Sequence, residues 1–148
     1  MKREIVTGSR AFFTGMHNFA PKDCDIILIV QPGETSGYQW MRQTSNGSTD
    51  VFEIVLRPKE ELIAHALKKS VPMAIGRFLT PEFANLIGLS VSDLKVLRPM
   101  RERLDVKHEY VGLIYDAYIA NGSFTLTDNQ RSLCYESYMA SRKKNGKS

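Results

Sequence analysis

Asp23 and Asp25 stand two residues apart, just ahead of the apolar run Ile26-Ile27-Leu28-Ile29-Val30. In an extended strand, alternate residues share a face, so both carboxylates are expected on one side and Cys24 on the other. Two like charges held together repel each other, and a divalent cation relieves that repulsion. Mg²⁺ or Mn²⁺ suits such a pair, because Mg²⁺ takes oxygen ligands and completes its shell with substrate phosphates. The bland alternative is a pair of solvated aspartates in the Pro21-Lys22 turn. Upstream, Gly8-Ser9 ends the strand candidate Glu4–Thr7 and opens a helix candidate over Arg10–His17. Backbone N–H groups at a helix start can hold a phosphate, and glycine lets the backbone come close. Ser9 adds a hydroxyl and Arg10 a positive charge, unless Arg10 is an ordinary surface residue.

A third carboxylate is expected if two metal ions are held, and Val51-Phe52-Glu53-Ile54-Val55-Leu56 offers Glu53, with Asp50 at its start. The two have opposite parity and cannot both face the site. Glu53 is preferred, since a carboxylate among apolar neighbours needs a partner or a metal, whereas Asp50 is easily solvated. The alternative for Glu53 is a water-facing position on an edge strand.

These residues need elements to position them. Ile26–Val30 reads as a central strand buried on both faces. Residues 32–49 carry Gly33, Gly37, Asn46 and Gly47 around Tyr38-Gln39-Trp40-Met41, and read as a mobile or ligand-dependent loop with at most one short strand at the aromatic cluster. The strand Val51–Leu56 ends before Pro58. Leu62, Ile63, Ala66 and Leu67 then recur at helical spacing. Thr80-Pro81 and Gly88 bracket a short helix, Ser90 or Ser92 caps another that Pro99 kinks or divides, and Val106–Asn121 is a longer helix closed by Gly122. Thr127 and Gln130 form a capping box for a last helix from Asp128. The expected fold is α+β, with strands in the first third and helices in the rest. One domain is expected over 1–148: a sheet core at 1–57, a helical part at 58–141 and a polar tail at 142–148.

Gly8-Ser9 followed by Asp23-x-Asp25 on an apolar strand resembles the nucleotidyltransferase superfamily of DNA polymerase beta, in particular its minimal stand-alone members. The resemblance is specific over about Ile5–Val30 and general beyond Leu56. It implies a small mixed-sheet nucleotidyltransferase core, with Gly8 and Ser9 on the β- and γ-phosphates of an NTP, ATP being the NTP expected. Asp23 and Asp25 would bind metal and Glu53 would be the third carboxylate, a place where the family usually has aspartate. The implied reaction is attack by an acceptor hydroxyl on the α-phosphorus, with pyrophosphate leaving and metal ions roughly 4 Å apart stabilising both oxygens. The acceptor can be RNA, protein or a small molecule.

Two rivals stand beside it. A phosphatase that begins with DxD needs its apolar strand before the motif, and here the strand follows. A binding module could keep the fold without turnover, as the inactive partner of a toxin or as an RNA adaptor. The basic residues Lys95, Arg98, Arg101, Arg103 and Lys107 could reach triphosphate or RNA, though such runs are commonly solvated helix faces. Tyr38 and Trp40 could stack a base or pack on their own domain. His17, His65 and His108 lack metal-ligand spacing. With 148 residues, a formal charge of +4 and only Cys24 and Cys134, the chain fits a reduced, cytoplasmic, soluble protein without membrane attachment. Met1-Lys2-Arg3-Glu4 has no long apolar stretch behind it, so export is not expected.

Overall fold

A computed structural model describes residues 3–35, 37–69, 79–97 and 108–144. The chain is α+β and divides into two compact units, Met1–Leu62 and Ile63–Ser148. In the first unit β1 (Arg3–Thr7), α1 (Ser9–Phe13), β2 (Cys24–Val30), a single 3-10 turn (Pro32–Glu34), β3 (Met41–Asn46) and β4 (Thr49–Val55) follow in order. The strands form one mixed sheet in the order β1-β2-β4-β3. β1 is antiparallel to β2, β2 is parallel to β4, and β3 is antiparallel to β4.

β2 and β4 are therefore interior, and their apolar sequences follow from that. Pairing sets Ile5 beside Ile27 and Ile27 beside Phe52, with Ile29 beside Ile54 on the same face, and all five are buried. Burying each such side chain contributes roughly 1.5–3 kcal/mol. The other face is more open: Val6 is 48% exposed, and Ile26, Leu28 and Val51 are partly exposed. β2 is thus buried along one face and, on the other, only toward its end at Val30, which corrects the expectation of burial on both.

β3 is the element the sequence concealed. Residues 42–46 are exposed and polar, as an edge strand of a sheet can be, so no apolar alternation marks them. The pairing Asn46 with Thr49 leaves a two-residue turn, Gly47-Ser48. Gly47 has φ +64° at the first central position, where tight hairpin turns favour positive φ. α1 is shorter than the helix expected over Arg10–His17, because Gly15 (φ +94°) and Asn18 (φ +62°) follow it in conformations a helix does not use.

α2 (Lys59–Lys69) crosses the division between the units. The second unit holds α3 (Pro81–Ile87), α4 (Val91–Leu97), α5 (Glu109–Asn121) and α6 (Asp128–Lys144). α3 begins with proline at its first position and ends on left-handed Gly88, while Thr80 occupies the N-cap without a side-chain cap bond. α4 is capped reciprocally, the Ser90 N–H donating to Asp93 Oδ2 at 2.8 Å and the Asp93 N–H to Ser90 Oγ at 3.4 Å. The Thr127–Gln130 box forms as expected, with bonds of 2.9 and 3.1 Å. Gln130 also exchanges amide bonds with Asn121, tying the end of α5 to the start of α6. α6 runs through Arg142, whose guanidinium lies 4.6 Å from the Tyr138 ring. Val106, Lys107, Pro99, Arg98, Arg101 and Arg103 lie outside the described residues; Lys95 is exposed on α4. No helix among the described residues is long and apolar enough to cross a membrane.

Candidate functional site

The register of β1 on β2 pairs Thr7 with Asp25, so the chain leaving β1 at Gly8 crosses directly over that carboxylate. Gly8 has φ +68° and ψ −154°, a region open essentially to glycine alone. A Cβ on Gly8 would collide with Asp25 Oδ2 and stand 3.1 Å from its Cγ. The absent side chain is what lets the turn rest on Asp25. Ser9 is buried as the first residue of α1, and the Ala11 N–H bonds the Gly8 carbonyl at 3.0 Å to close the first turn. With five residues, α1 has little macrodipole, so any anion affinity here rests on local N–H groups and side chains.

Arg10 reaches to the start of the following strand, where its Nε donates to the Asp23 carbonyl at 3.1 Å. This bond holds the DxD segment against α1 and keeps a positive charge beside it. Asp23 is exposed and stands one residue before β2, so strand alternation does not govern its side chain.

The third carboxylate needs a correction. Parallel pairing of β2 with β4 sets Asp25 beside Asp50 and Leu28 beside Glu53. Asp50 therefore shares the Asp25 face, and Glu53 points to the opposite one. Glu53 is indeed buried, at 7% exposure, but the partner it needs is Arg42, its cross-strand neighbour on β3. Arg42 Nε donates to Glu53 Oε2, and the Tyr38 hydroxyl donates to Oε1 at 3.3 Å. Burial and the Glu53 charge push the Tyr38 hydroxyl pKa up, and the bond to Glu53 raises that of the Arg42 guanidinium. Glu53 is thus neutralised in place and does not converge with Asp23 and Asp25.

Asp50 has a different neighbour. Ser45, across from it on β3, donates its hydroxyl to Asp50 Oδ1 at 2.7 Å. The hairpin turn is anchored nearby, the Cys24 N–H donating to the Ser48 carbonyl at 2.9 Å. Asp25, which Gly8 rests on, and Asp50 are thus neighbours in register at one end of one sheet face. Tyr38 and Trp40 pack on their own unit: Arg42 lies over the Tyr38 ring at 4.7 Å and Arg57 over Trp40 at 4.6 Å. Arg57 Nε also donates to the Gln39 carbonyl at 2.9 Å.

Among the described residues, no group of three His, Cys, Asp or Glu side chains is placed to hold a metal ion. The pair Asp25 and Asp50 still fits a hard divalent cation, which commonly takes one or two protein carboxylates and fills its shell with phosphates and water. Glu53 does not fit. Comparison with protein-family models, with curated proteins and with solved structures gives no match for this chain.

Proposed function

We propose that the first unit is the nucleotide site of a metal-dependent nucleotidyltransferase, which moves an NMP from an NTP, ATP first among them, to a hydroxyl acceptor. The observation that carries this is Gly8 seated on Asp25 with Asp50 beside it. Such a turn sets the free N–H groups at the start of α1 next to those carboxylates, where a metal-bound phosphate can reach them. Bound Mg²⁺ or Mn²⁺ would neutralise those carboxylates and the charge that grows on the leaving group. Gly8 and Ser9 supply backbone and hydroxyl donors for the terminal phosphates, and Arg10 holds Asp23 in place. The acceptor oxygen bonds to the α-phosphorus as the bond to pyrophosphate breaks. Asp25 and Asp50 are the carboxylates at hand for the hydroxyl proton, whereas Glu53 is engaged on the far face. The free thiols Cys24 and Cys134 suit a reducing, cytoplasmic setting.

A second reading, a nucleotide-binding module without turnover, is favoured by the lack of a three-carboxylate group among the described residues. Incubating the full chain with each α-labelled NTP, Mg²⁺ or Mn²⁺ and a cell extract separates them. Label transferred to an extract component supports the transferase, and Mg²⁺-dependent NTP binding without transfer supports the module. Neither binding nor transfer overturns both.

A further inference from the structure

Asparagine precedes glycine at Asn46-Gly47 and Asn121-Gly122, and again at Asn145-Gly146, which lies outside the described residues. This pairing carries a reaction of its own. The backbone nitrogen of the glycine, on losing its proton, can attack the asparagine carboxamide carbon. A five-membered succinimide forms as ammonia leaves, and water then opens the ring to aspartate or isoaspartate. Glycine favours closure because its backbone turns freely and no side chain hinders the nitrogen. The fold must leave the carboxamide free to swing toward the backbone and the glycine N–H free of an acceptor.

The two described sites differ on both counts. Asn121 Nδ2 donates to the Thr125 carbonyl and to Gln130 Oε1, each at 2.8 Å, and Asn121 Oδ1 accepts from Gln130 Nε2 at 3.2 Å. The Gly122 N–H donates to the Tyr118 and Ile119 carbonyls at 2.9 and 3.3 Å. Both reacting groups are held there, so closure requires the end of α5 to open first. Asn46 is exposed at the end of β3 and Gly47 is exposed in the turn. Among the described residues no hydrogen bond engages the Asn46 carboxamide or the Gly47 N–H. From this contrast we propose that Asn46-Gly47 is a site of spontaneous deamidation in the folded protein, whereas Asn121-Gly122 is protected by the bonds that join α5 to α6. The proposal is independent of the nucleotide reading.

The place of the turn gives the product its consequence. Isoaspartate routes the main chain through the former side chain, lengthening it by one methylene just before Gly47. Asn46 pairs with Thr49 across that turn, and the same hairpin sets Arg42 against Glu53 and Ser45 against Asp50. Turn geometry fixes hairpin register, so isoaspartate loosens β3, while aspartate keeps the backbone and adds only a charge.

The test incubates the full chain at mildly alkaline pH, folded and in denaturant, and follows its tryptic peptides by mass spectrometry with fragmentation. Asn46 falls in the peptide 43–59 and Asn121 in 108–131, each separate from Asn145. Expected in the folded protein is conversion at Asn46 roughly tenfold or more faster than at Asn121, with similar rates at the two sites in denaturant. The fraction carrying isoaspartate at position 46 should melt below the wild type, and Asn46→Asp close to it. Equal rates at the two sites in the folded protein overturn the proposal, as does an Asn46 that stays intact while the denatured chain converts. An isoaspartate fraction that melts like the wild type overturns the claimed effect on β3.

Discussion

The two faces of the sheet treat their carboxylates in opposite ways. On one face Asp25 and Asp50 lie side by side under a glycine turn, like charges brought together with a hydroxyl as the neighbour of Asp50. On the other, Glu53 is buried against Arg42 and Tyr38, which together engage both of its oxygens. The difference teaches that burial alone does not mark a functional carboxylate. Placement beside a glycine turn and a second carboxylate is the more informative sign.

The largest effect expected is on the first face. Asp25→Asn, which keeps the shape of the side chain, should leave the fold intact while reducing NMP transfer about 10³-fold or more; a labelled-NTP assay beside a melting curve checks both. Next comes Gly8→Val, which places a side chain where the Asp25 carboxylate sits and forces positive φ on a β-branched residue. Its strain should cost about 1–3 kcal/mol in chemical denaturation, and NTP affinity should fall further than in Ser9→Ala. Ser9→Ala removes one hydroxyl bond worth about 0.5–1.5 kcal/mol. Equal NTP affinity for wild type and both folded variants would show that the phosphates bind elsewhere.

Smaller effects are expected on the second face. Arg42→Ala should lower the melting temperature by stranding the buried Glu53, and transfer by the folded fraction should stay near wild type. A matching loss of Mn²⁺ binding would mean that the faces are not independent. The least effect should come from alkylating Cys24, which lies at the start of β2 with opposite parity to Asp25. Cys134 is buried and its thiol is pushed up to about 11, so iodoacetamide near pH 8 should label Cys24 first and leave transfer largely unchanged.

Much of this fold was legible in the residues that form it. The run Ile26–Val30 marks an interior strand, and Gly88, Gly122 and the Thr127–Gln130 box mark helix ends through φ and hydrogen bonding alone. β3 was not legible from periodicity, because an exposed edge strand buries neither face; only Asn46-Gly47 signalled a hairpin. Glu53 misleads for the same reason. Its partner, Arg42, sits on that edge strand, so from the sequence alone a buried carboxylate reads as one that needs a metal. At the entrance of its strand Asp50 reads as easily solvated, yet the parallel register sets it against Asp25. Register between strands is a long-range property that no single segment encodes.

The most direct test sets Asp50→Asn beside Glu53→Gln in the same labelled-NTP transfer assay, with each variant's folded fraction fixed by circular dichroism. The account predicts that Asp50→Asn loses transfer by about 100-fold or more while keeping its melting temperature, and that Glu53→Gln melts earlier with transfer per folded molecule within about twofold of wild type. Loss of transfer in Glu53→Gln with Asp50→Asn active would contradict it.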